Sequence, residues 1–375
     1  MKTRTYLRLL WTIILHSSIL VLFGCTQNED NSLDGVGSIL IDRDTTWTAN
    51  KPILIEGSVS IEGATLTIAE GTTVRMGANA AFIVGERRAG GLRIQGTQER
   101  PVRILPKSTE LNWRGIHVVK SLETTHINYL DVEQAGNENT PAMSILDLDF
   151  PIRNTQFIRC GGDGIEIAHV TPSNRPWLHE VSIQTDTGNP LSGQVSLLLA
   201  LDGTLRLTAP HGGIYLRNGT LSTTMCYFYK YACPYIVHSE LLIDAAIVDF
   251  ATHTQIEFER DGALNFGVYQ RTAIHADGVT FTARAGRGLW KGVIVNDKVV
   301  AGDSYFRHCL FEFGGAGNEK GSLVIYGVRN LEVSESIFAR GAGYGIVLVG
   351  AASVYDRFRS NIFDSNYLGS IDSRK

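Results

Sequence analysis

Paired carboxylates are the residues in this chain whose spacing could support chemistry on a sugar or a metal ion. Asp147 and Asp149 alternate with apolar residues, so on an extended strand both point to one outer face. Such a pair could hold a Ca²⁺ ion weakly, although a solvated strand face is its commoner origin. Cleavage of a glycosidic bond needs two carboxylates about 5–10 Å apart. No such pair is evident, and we interpret Asp163, between two glycines, as a turn residue.

Aromatic residues are the better candidates for a binding surface. Trp47 and Trp177 lie in loop-like, polar stretches. The run Tyr227-Phe228-Tyr229-Lys230-Tyr231, as a strand, would expose its three tyrosines and turn its phenylalanine inward. Exposed rings can stack on the apolar faces of sugars. We therefore expect Trp47, Trp177, Tyr227 and Tyr229 to contribute to binding.

Three arginines occupy the middle, outward position of short apolar triplets. They are Arg75, Arg93 and Arg103. Together they predict a modest basic stripe, which could meet an anionic glycan or an acidic protein loop. A solvated basic face is the alternative.

Cysteine spacing and overall charge exclude several classes of function. Cys160, Cys226, Cys233 and Cys309 match no zinc or redox motif, so we predict no metal and no cofactor. We expect buried free thiols, although an exported protein could pair them in three ways. The net charge of −4 and the pI near 6.2 give no electrostatic footprint for nucleic acid.

The first residues predict export and a lipid anchor. Lys2, Arg4 and Arg8 precede an apolar run, Leu9 to Phe23, which is short for a membrane span. The run ends at Gly24-Cys25 and resembles the lipobox of bacterial lipoproteins, in which the thiol takes a diacylglycerol and the chain is cut before it. We thus predict a signal peptide at 1–24 and lipidation of Cys25.

The segment after Cys25 predicts a tether on an outer membrane. Residues 25–37 are polar, acidic and without apolar periodicity, as in a flexible linker. Their Gln27-Asn28-Glu29-Asp30 cluster resembles the export signal of Bacteroidetes surface lipoproteins. A plain solvated spacer is the alternative. We expect a lipid-anchored outer-membrane protein at the cell surface, and the sequence leaves the leaflet open.

From Ile53 onward, short alternating apolar triplets predict the fold. Ile53-Leu54-Ile55, Val59-Ser60-Ile61 and Leu66-Thr67-Ile68 follow one another, each followed by a Gly within a few residues. Units this short, without a helical period, favour three strands per coil. The sequence therefore predicts an all-β, right-handed parallel β-helix of about 13 coils.

The chain also repeats itself at an offset of about 180 residues. The segment around Trp113 matches that around Trp290, and Pro52-Ile53-Leu54-Ile55 matches Pro234-Tyr235-Ile236-Val237. Two further matches keep the same order, so we divide the solenoid softly into halves 38–232 and 233–375. We expect Trp113 and Trp290 to be buried against the stack, with an exposed sugar platform as the alternative.

Three segments resemble the pectin-lyase-like β-helix proteins of bacterial surfaces. They are GATLTIAEGTTVRM from Gly63, GLRIQGTQERPVRI from Gly91 and NWRGIHV from Asn112. The resemblance implies the fold but not an activity, since that superfamily contains lyases, hydrolases and adhesins. The Gly-His-Gly of its polygalacturonase-like members is absent, and Pro210-His211-Gly212-Gly213 is the nearest echo.

Three functions compete at this point. We expect a non-catalytic module that binds a glycan or a protein, or serves an outer-membrane complex. The alternatives are a polysaccharide lyase or glycoside hydrolase on the same fold, and a structural spacer. An exposed aromatic row would favour the binder. Carboxylates and basic groups converging beside the coils would favour the enzyme, and a large apolar patch would favour the accessory role.

Overall fold

The computed structural model describes residues 37–284, 288–356 and 360–375. Cys25, the predicted signal peptide and nearly all of the predicted linker lie outside these residues. The chain is nearly all-β, with 52% strand and 3% helix, and forms a parallel β-solenoid of about 13 turns. The fold predicted from the apolar triplets is confirmed. No helix among the described residues is long and apolar enough to cross a bilayer.

Short strands, most of three to six residues, build the solenoid. The first eighteen are β1 (Ile39–Ile41), β2 (Thr45–Trp47), β3 (Ile53–Ile55), β4 (Ser58–Ile61), β5 (Thr65–Ala69), β6 (Thr73–Met76), β7 (Ala81–Val84), β8 (Gly91–Gln95), β9 (Val102–Pro106), β10 (Ile116–Val118), β11 (His126–Asn128), β12 (Leu130–Glu133), β13 (Met143–Leu148), β14 (Ile152–Cys160), β15 (Ile165–Val170), β16 (Leu178–Thr185), β17 (Leu191–Gly193) and β18 (Arg206–Thr208). The others are β19 (Ile214–Leu216), β20 (Gly219–Phe228), β21 (Tyr235–Val237), β22 (Glu240–Phe250), β23 (Gln255–Phe258), β24 (Ala263–Phe266), β25 (Ala273–Asp277), β26 (Thr280–Ala283), β27 (Gly292–Val295), β28 (Tyr305–Arg307), β29 (Leu310–Glu312), β30 (Gly321–Tyr326), β31 (Leu331–Ser334), β32 (Ile337–Ala339), β33 (Tyr344–Val349), β34 (Val354–Tyr355), β35 (Ile362–Asp364) and β36 (Gly369–Arg374). Two 3-10 helices span Val195–Ala200 and Ala301–Asp303.

Each turn has three faces, numbered here in the order in which the chain visits them. Face 1 is one parallel sheet of 14 strands that runs from β1 to β35. In the first part of the chain, β2, β5, β8 and β11 lie on face 2, and β3, β6, β9 and β12 on face 3. In the second part, β24, β27, β30, β33 and β36 lie on face 2, and β25, β28, β31 and β34 on face 3. Long strands such as β14 and β22 bend from face 2 onto face 3.

The core is a set of side-chain stacks that follow the turn-to-turn register. On face 1, Phe281, Phe311, Phe338 and Phe363 are in register in consecutive turns. Their ring centroids are 4.8, 4.7 and 5.2 Å apart. These distances are close to the spacing of about 4.8 Å between neighbouring strands. The outward side chains of consecutive turns must form rows in the same way.

The two copies of the sequence repeat are offset by one face. The strand after Trp113, β10, lies on face 1, whereas the strand after Trp290, β27, lies on face 2. The matched strands β3 and β21 lie on faces 3 and 1, so they too are offset by one face. A residue with left-handed backbone geometry is shifted by one face in the same way. In the first copy it is Tyr129 (φ 50°), between faces 2 and 3, and in the second it is His308 (φ 49°), between faces 3 and 1.

The corner that contains each repeated tryptophan is the same in both copies. Trp113 and Trp290 are fully buried, as expected. The Trp113 indole N–H donates to the carbonyl oxygen of Glu133 (2.8 Å), and that of Trp290 donates to the carbonyl oxygen of Glu312 (2.7 Å). Face 1 continues through the division at residue 232, so the two halves are continuous, and the exact boundary stays a prediction.

The four cysteines after Cys25 are free and buried, as expected. Burial raises the pKa of the Cys160 and Cys309 thiols to about 12 and that of Cys233 to about 11. Burial raises the pKa of Cys226 further. Thiols in this state are inert packing groups.

Candidate functional site

A row of polar and aromatic side chains follows face 3 through six consecutive turns. Each member is in register with the next. We call this row the face-3 ladder; it consists of Tyr227, Asp249, His275, Tyr305, Glu332 and Tyr355. Its end residues, Tyr227 and Tyr355, are 38% and 50% exposed. Its length is five strand spacings, about 24 Å.

The centre of the ladder is held by direct contacts between turns. The Nδ1 of His275 lies 2.5 Å from Asp249 Oδ1, and its Nε2 lies 3.0 Å from the carbonyl oxygen of Asp303. The imidazole stacks on the Tyr305 ring, with centroids 5.3 Å apart and planes 8° from parallel. Both ring nitrogens face oxygen acceptors, so the imidazole is fixed in orientation.

Arg307 binds to the ladder from the same strand as Tyr305. Its guanidinium carbon lies 4.2 Å from the centroid of the Tyr305 ring. Its Nε and Nη2 donate to the two carboxylate oxygens of Glu332 at 2.6 and 2.7 Å. The ring and the carboxylate therefore form one cation-binding unit, which Arg307 fills.

A second row lies beside the ladder, toward the bend between faces 3 and 1. We call it the flanking row; it consists of Asp277, Arg307, His308 and Glu335. The His308 Nδ1 lies 2.7 Å from Asp277 Oδ1, and its Nε2 pairs with Glu335. The hydrogen bond to Asp277 is the main cause that raises the pKa of His308 above its usual value.

At the other end, Tyr227 continues into an aromatic pair. Tyr227 and Tyr229 stack with centroids 5.6 Å apart. Both have exposed surface, as expected from the aromatic run, and their role in binding stays a prediction. Tyr231 was expected beside them but is 5% exposed, because β20 ends at Phe228 and the chain turns inward. The Tyr231 hydroxyl donates to the Asp202 carbonyl oxygen instead.

The two tryptophans predicted as platforms are placed differently. Trp47 ends strand β2 rather than lying in a loop, and it is 6% exposed. Its ring packs against Phe82 (centroids 6.1 Å apart), so the expected exposed platform there is wrong. Trp177 does lie in a loop and is half-buried, with its indole N–H donating to the Thr171 carbonyl oxygen (2.7 Å).

The three arginines do not form one stripe. Arg75 and Arg103 lie on face 3 but out of register, since Arg75 stands opposite Leu105. Arg93 lies on face 2, opposite His126. Arg103 lies 3.7 Å from Asp131, so part of its charge is compensated. The predicted basic stripe is wrong, because the triplets that carry these residues belong to two faces.

A second polar cluster lies on face 1, built by four consecutive turns. The Nδ1 of His238 lies 2.5 Å from Glu259 Oε2 and 2.8 Å from the Tyr215 hydroxyl. Arg284 Nη1 donates to Glu259 Oε1 (3.0 Å). Burial, with Glu259 next, raises the pKa of Tyr215 to about 12, and burial raises the pKa of Glu257. We call these five residues the face-1 cluster.

Two of the carboxylates singled out in the sequence, Asp149 and Asp163, accept hydrogen bonds within the fold. Asp149 accepts from the Ser121 hydroxyl (2.5 Å). Asp163 accepts from the backbone N–H of Asn189 (2.8 Å), one turn further on, rather than from its own turn. Among the described residues, no group of three or more His, Cys, Asp and Glu side chains could hold a metal ion. A shallow cavity of about 420 Å³ lies elsewhere, beside the Glu56–Lys107 ion pair.

Most of the ladder was missed in the sequence. His275, Tyr305 and Glu332 stand 27 to 30 residues apart and belong to no local motif. An alignment that writes each turn of the second half beneath the one before it would place these three residues in one column.

Comparisons of the chain with family models, with curated proteins and with solved structures find no match.

Proposed function

We propose that this protein binds a polysaccharide chain along the face-3 ladder. The observation that carries the proposal is the in-register row of Tyr227, His275, Tyr305 and Tyr355, interleaved with carboxylates. Sugar rings have apolar faces that pack on aromatic rings, and hydroxyl groups that donate to carboxylates. A row of about 24 Å along the solenoid axis suits an extended linear ligand better than a small molecule.

The proposal includes the location inferred from the sequence. The chain would be a lipoprotein of a bacterial envelope, held in the outer membrane by lipid on Cys25 and exposed at the cell surface. Its β-solenoid would be a relative of the pectin-lyase-like surface proteins. The support is the apolar run that ends at Gly24-Cys25, the acidic spacer after it, and the strand motifs at Gly63 and Gly91. A surface location would place the ladder where extracellular glycans are met.

Calorimetric titration of the full chain in detergent with a panel of linear oligosaccharides tests the proposal. Tyr227→Ala should weaken binding of the best ligand at least about tenfold, since Tyr227 is 38% exposed and ~1.4 kcal/mol of stacking is lost. Tyr367→Ala is the matched control, because Tyr367 is 83% exposed and lies after a face-1 strand. Equal affinity for both variants would place binding elsewhere.

Cleavage of a glycosidic bond at the face-1 cluster is a second candidate. Glu257 and Glu259 are two residues apart on one extended segment, which separates their Cα atoms by about 6.6 Å. Inverting hydrolases hold their two carboxylates about 6.5–9.5 Å apart. Burial raises the pKa of Glu257, as a general acid requires. Glu259, however, is bound by Arg284, His238 and Tyr215, so a water molecule would have to displace one of them. We therefore prefer binding.

A release assay separates the two candidates. Incubation with uronic-acid and neutral glycans should yield neither unsaturated products nor new reducing ends. Turnover that disappears in Glu257→Gln, but not in Asp364→Asn on the same face, would establish the enzyme.

A further inference from the structure

We infer that the glycan bound on the face-3 ladder carries free, protonated amino groups, as in a deacetylated hexosamine polymer. This inference rests on the proposed function and names its ligand class.

Every tyrosine of the ladder has a carboxylate as its in-register neighbour. Tyr227 stands opposite Asp249, and Glu332 stands between Tyr305 and Tyr355. A ring face attracts a cation through its quadrupole, and a carboxylate beside it adds a charge-assisted hydrogen bond. This pairing suits a sugar that carries an ammonium group.

The chain itself shows that such a unit binds a cation. Arg307 lies over Tyr305 and donates two hydrogen bonds to Glu332, which fills the Tyr305–Glu332 unit internally. At the Tyr227–Asp249 unit, the ion pair that the described residues give the carboxylate is with His275 rather than with an arginine or lysine.

An anionic glycan would meet few cations among the described side chains of the ladder and the flanking row. Within the ladder and the flanking row, Arg307 is the only permanent cation, and Glu332 and Tyr305 already bind it. The exposed Arg271 and Arg329 precede strands β25 and β31 at the preceding corner, outside both rows. A uronate would therefore face Asp249, Asp277 and Glu335 unfavourably.

The test compares three oligomers of equal length: β-1,4-linked glucosamine, its N-acetylated form, and an oligouronate. Titration of the full chain in slightly acidic buffer, at low and high ionic strength, measures their affinities. Glucosamine oligomers should bind at least about tenfold tighter than the N-acetylated form, and salt should reduce the difference. Asp249→Asn should reduce it too, whereas Asp364→Asn, an exposed carboxylate on face 1, should not.

Removal of the internal cation gives a gain-of-function arm. Arg307→Met removes the internal cation from the Tyr305–Glu332 unit and should raise the affinity for glucosamine oligomers about threefold or more. Arg329→Met removes the same charge outside the rows and should change little. An equal gain in both variants would show that the effect comes from the change in net charge alone, and it would overturn the inference.

The remaining outcomes separate this inference from the proposed function. Binding of the neutral oligomer without preference for the amino form, or tighter binding of the uronate, overturns the inference alone if Tyr227→Ala still weakens binding. Binding of none of the three oligomers contradicts the inference and the proposed function together.

Discussion

The two copies of the sequence repeat have the same corners but different outer surfaces. The residue three positions before the left-handed bend is His126 in the first copy and Tyr305 in the second. The in-register neighbour one turn earlier is Arg93 in the first copy and His275 in the second. The first surface is thus basic and without a ring stack, and the second is aromatic and paired with carboxylates.

The comparison shows which positions are set by the coil and which are not. A buried tryptophan that donates to a backbone carbonyl is needed at this corner in both copies. The outward rows are not constrained by the core, so they can differ while the fold stays the same. A surface that differs between equivalent positions is where a specific function can reside.

The largest expected effect is on the element that the copies share. Trp113→Ala and Trp290→Ala should each lower the free energy of unfolding by about 3–5 kcal/mol, because each leaves a large cavity and an unpaired carbonyl. Urea unfolding followed by circular dichroism measures both. A loss in one copy only would show that the two corners are not equivalent.

The next effect is a difference in histidine titration between the copies. Burial first, and then the nearby Arg93, lower the pKa of His126, whereas Asp277 raises that of His308. The stability that neutral His126 confers should therefore be lost as the pH falls below 6.5 and through its lowered pKa, and that of protonated His308 as the pH rises through its raised pKa.

Proton NMR of the imidazole signals should show His126 below and His308 above 6.5. Asp277→Asn should move the His308 midpoint downward and leave that of His126 in place. Coincident midpoints in the unsubstituted protein would remove this difference between the copies.

The smallest effect concerns the exposed ion pairs at the two corners. Arg159 pairs with Glu133, and Arg340 with Glu312. Arg340 also lies over Phe313, 4.5 Å from its centroid. Arg159→Met should cost below about 1 kcal/mol and Arg340→Met slightly more, as measured by the same urea titration. A larger cost for Arg159→Met would mean that the pair in the first copy is not an ordinary surface pair.

The fold was predictable because it depends on local patterns. Apolar triplets such as Ile53-Leu54-Ile55 carry the period of the strand, and the match of Trp113 with Trp290 gave the duplication. The offset by one face was not predictable, because it depends on where each bend falls in the turn. A left-handed residue such as Tyr129 or His308 has no distinctive signal in the sequence.

The candidate site was predictable only in part. Tyr227 and Tyr229 stood in an aromatic run and are exposed, whereas Trp47, judged by its polar neighbours, is buried in the first turn. Tyr305 and Glu332 are isolated in the sequence, and only the strand register brings them together. Predicting a row that runs across turns requires the length of every loop between the strands, and triplet patterns do not give those lengths.

The central claim is that the face-3 ladder binds a glycan and that the surface around Arg93 and His126 does not. The most direct test is the dissociation constant of one linear oligosaccharide for two double variants. Tyr227→Ala with Tyr355→Ala should lose about 100-fold in affinity, or ~2.7 kcal/mol, whereas Arg93→Gln with His126→Ala should bind like the unsubstituted protein. Loss of binding in the Arg93 and His126 variant, with the tyrosine variant unaffected, would contradict the account.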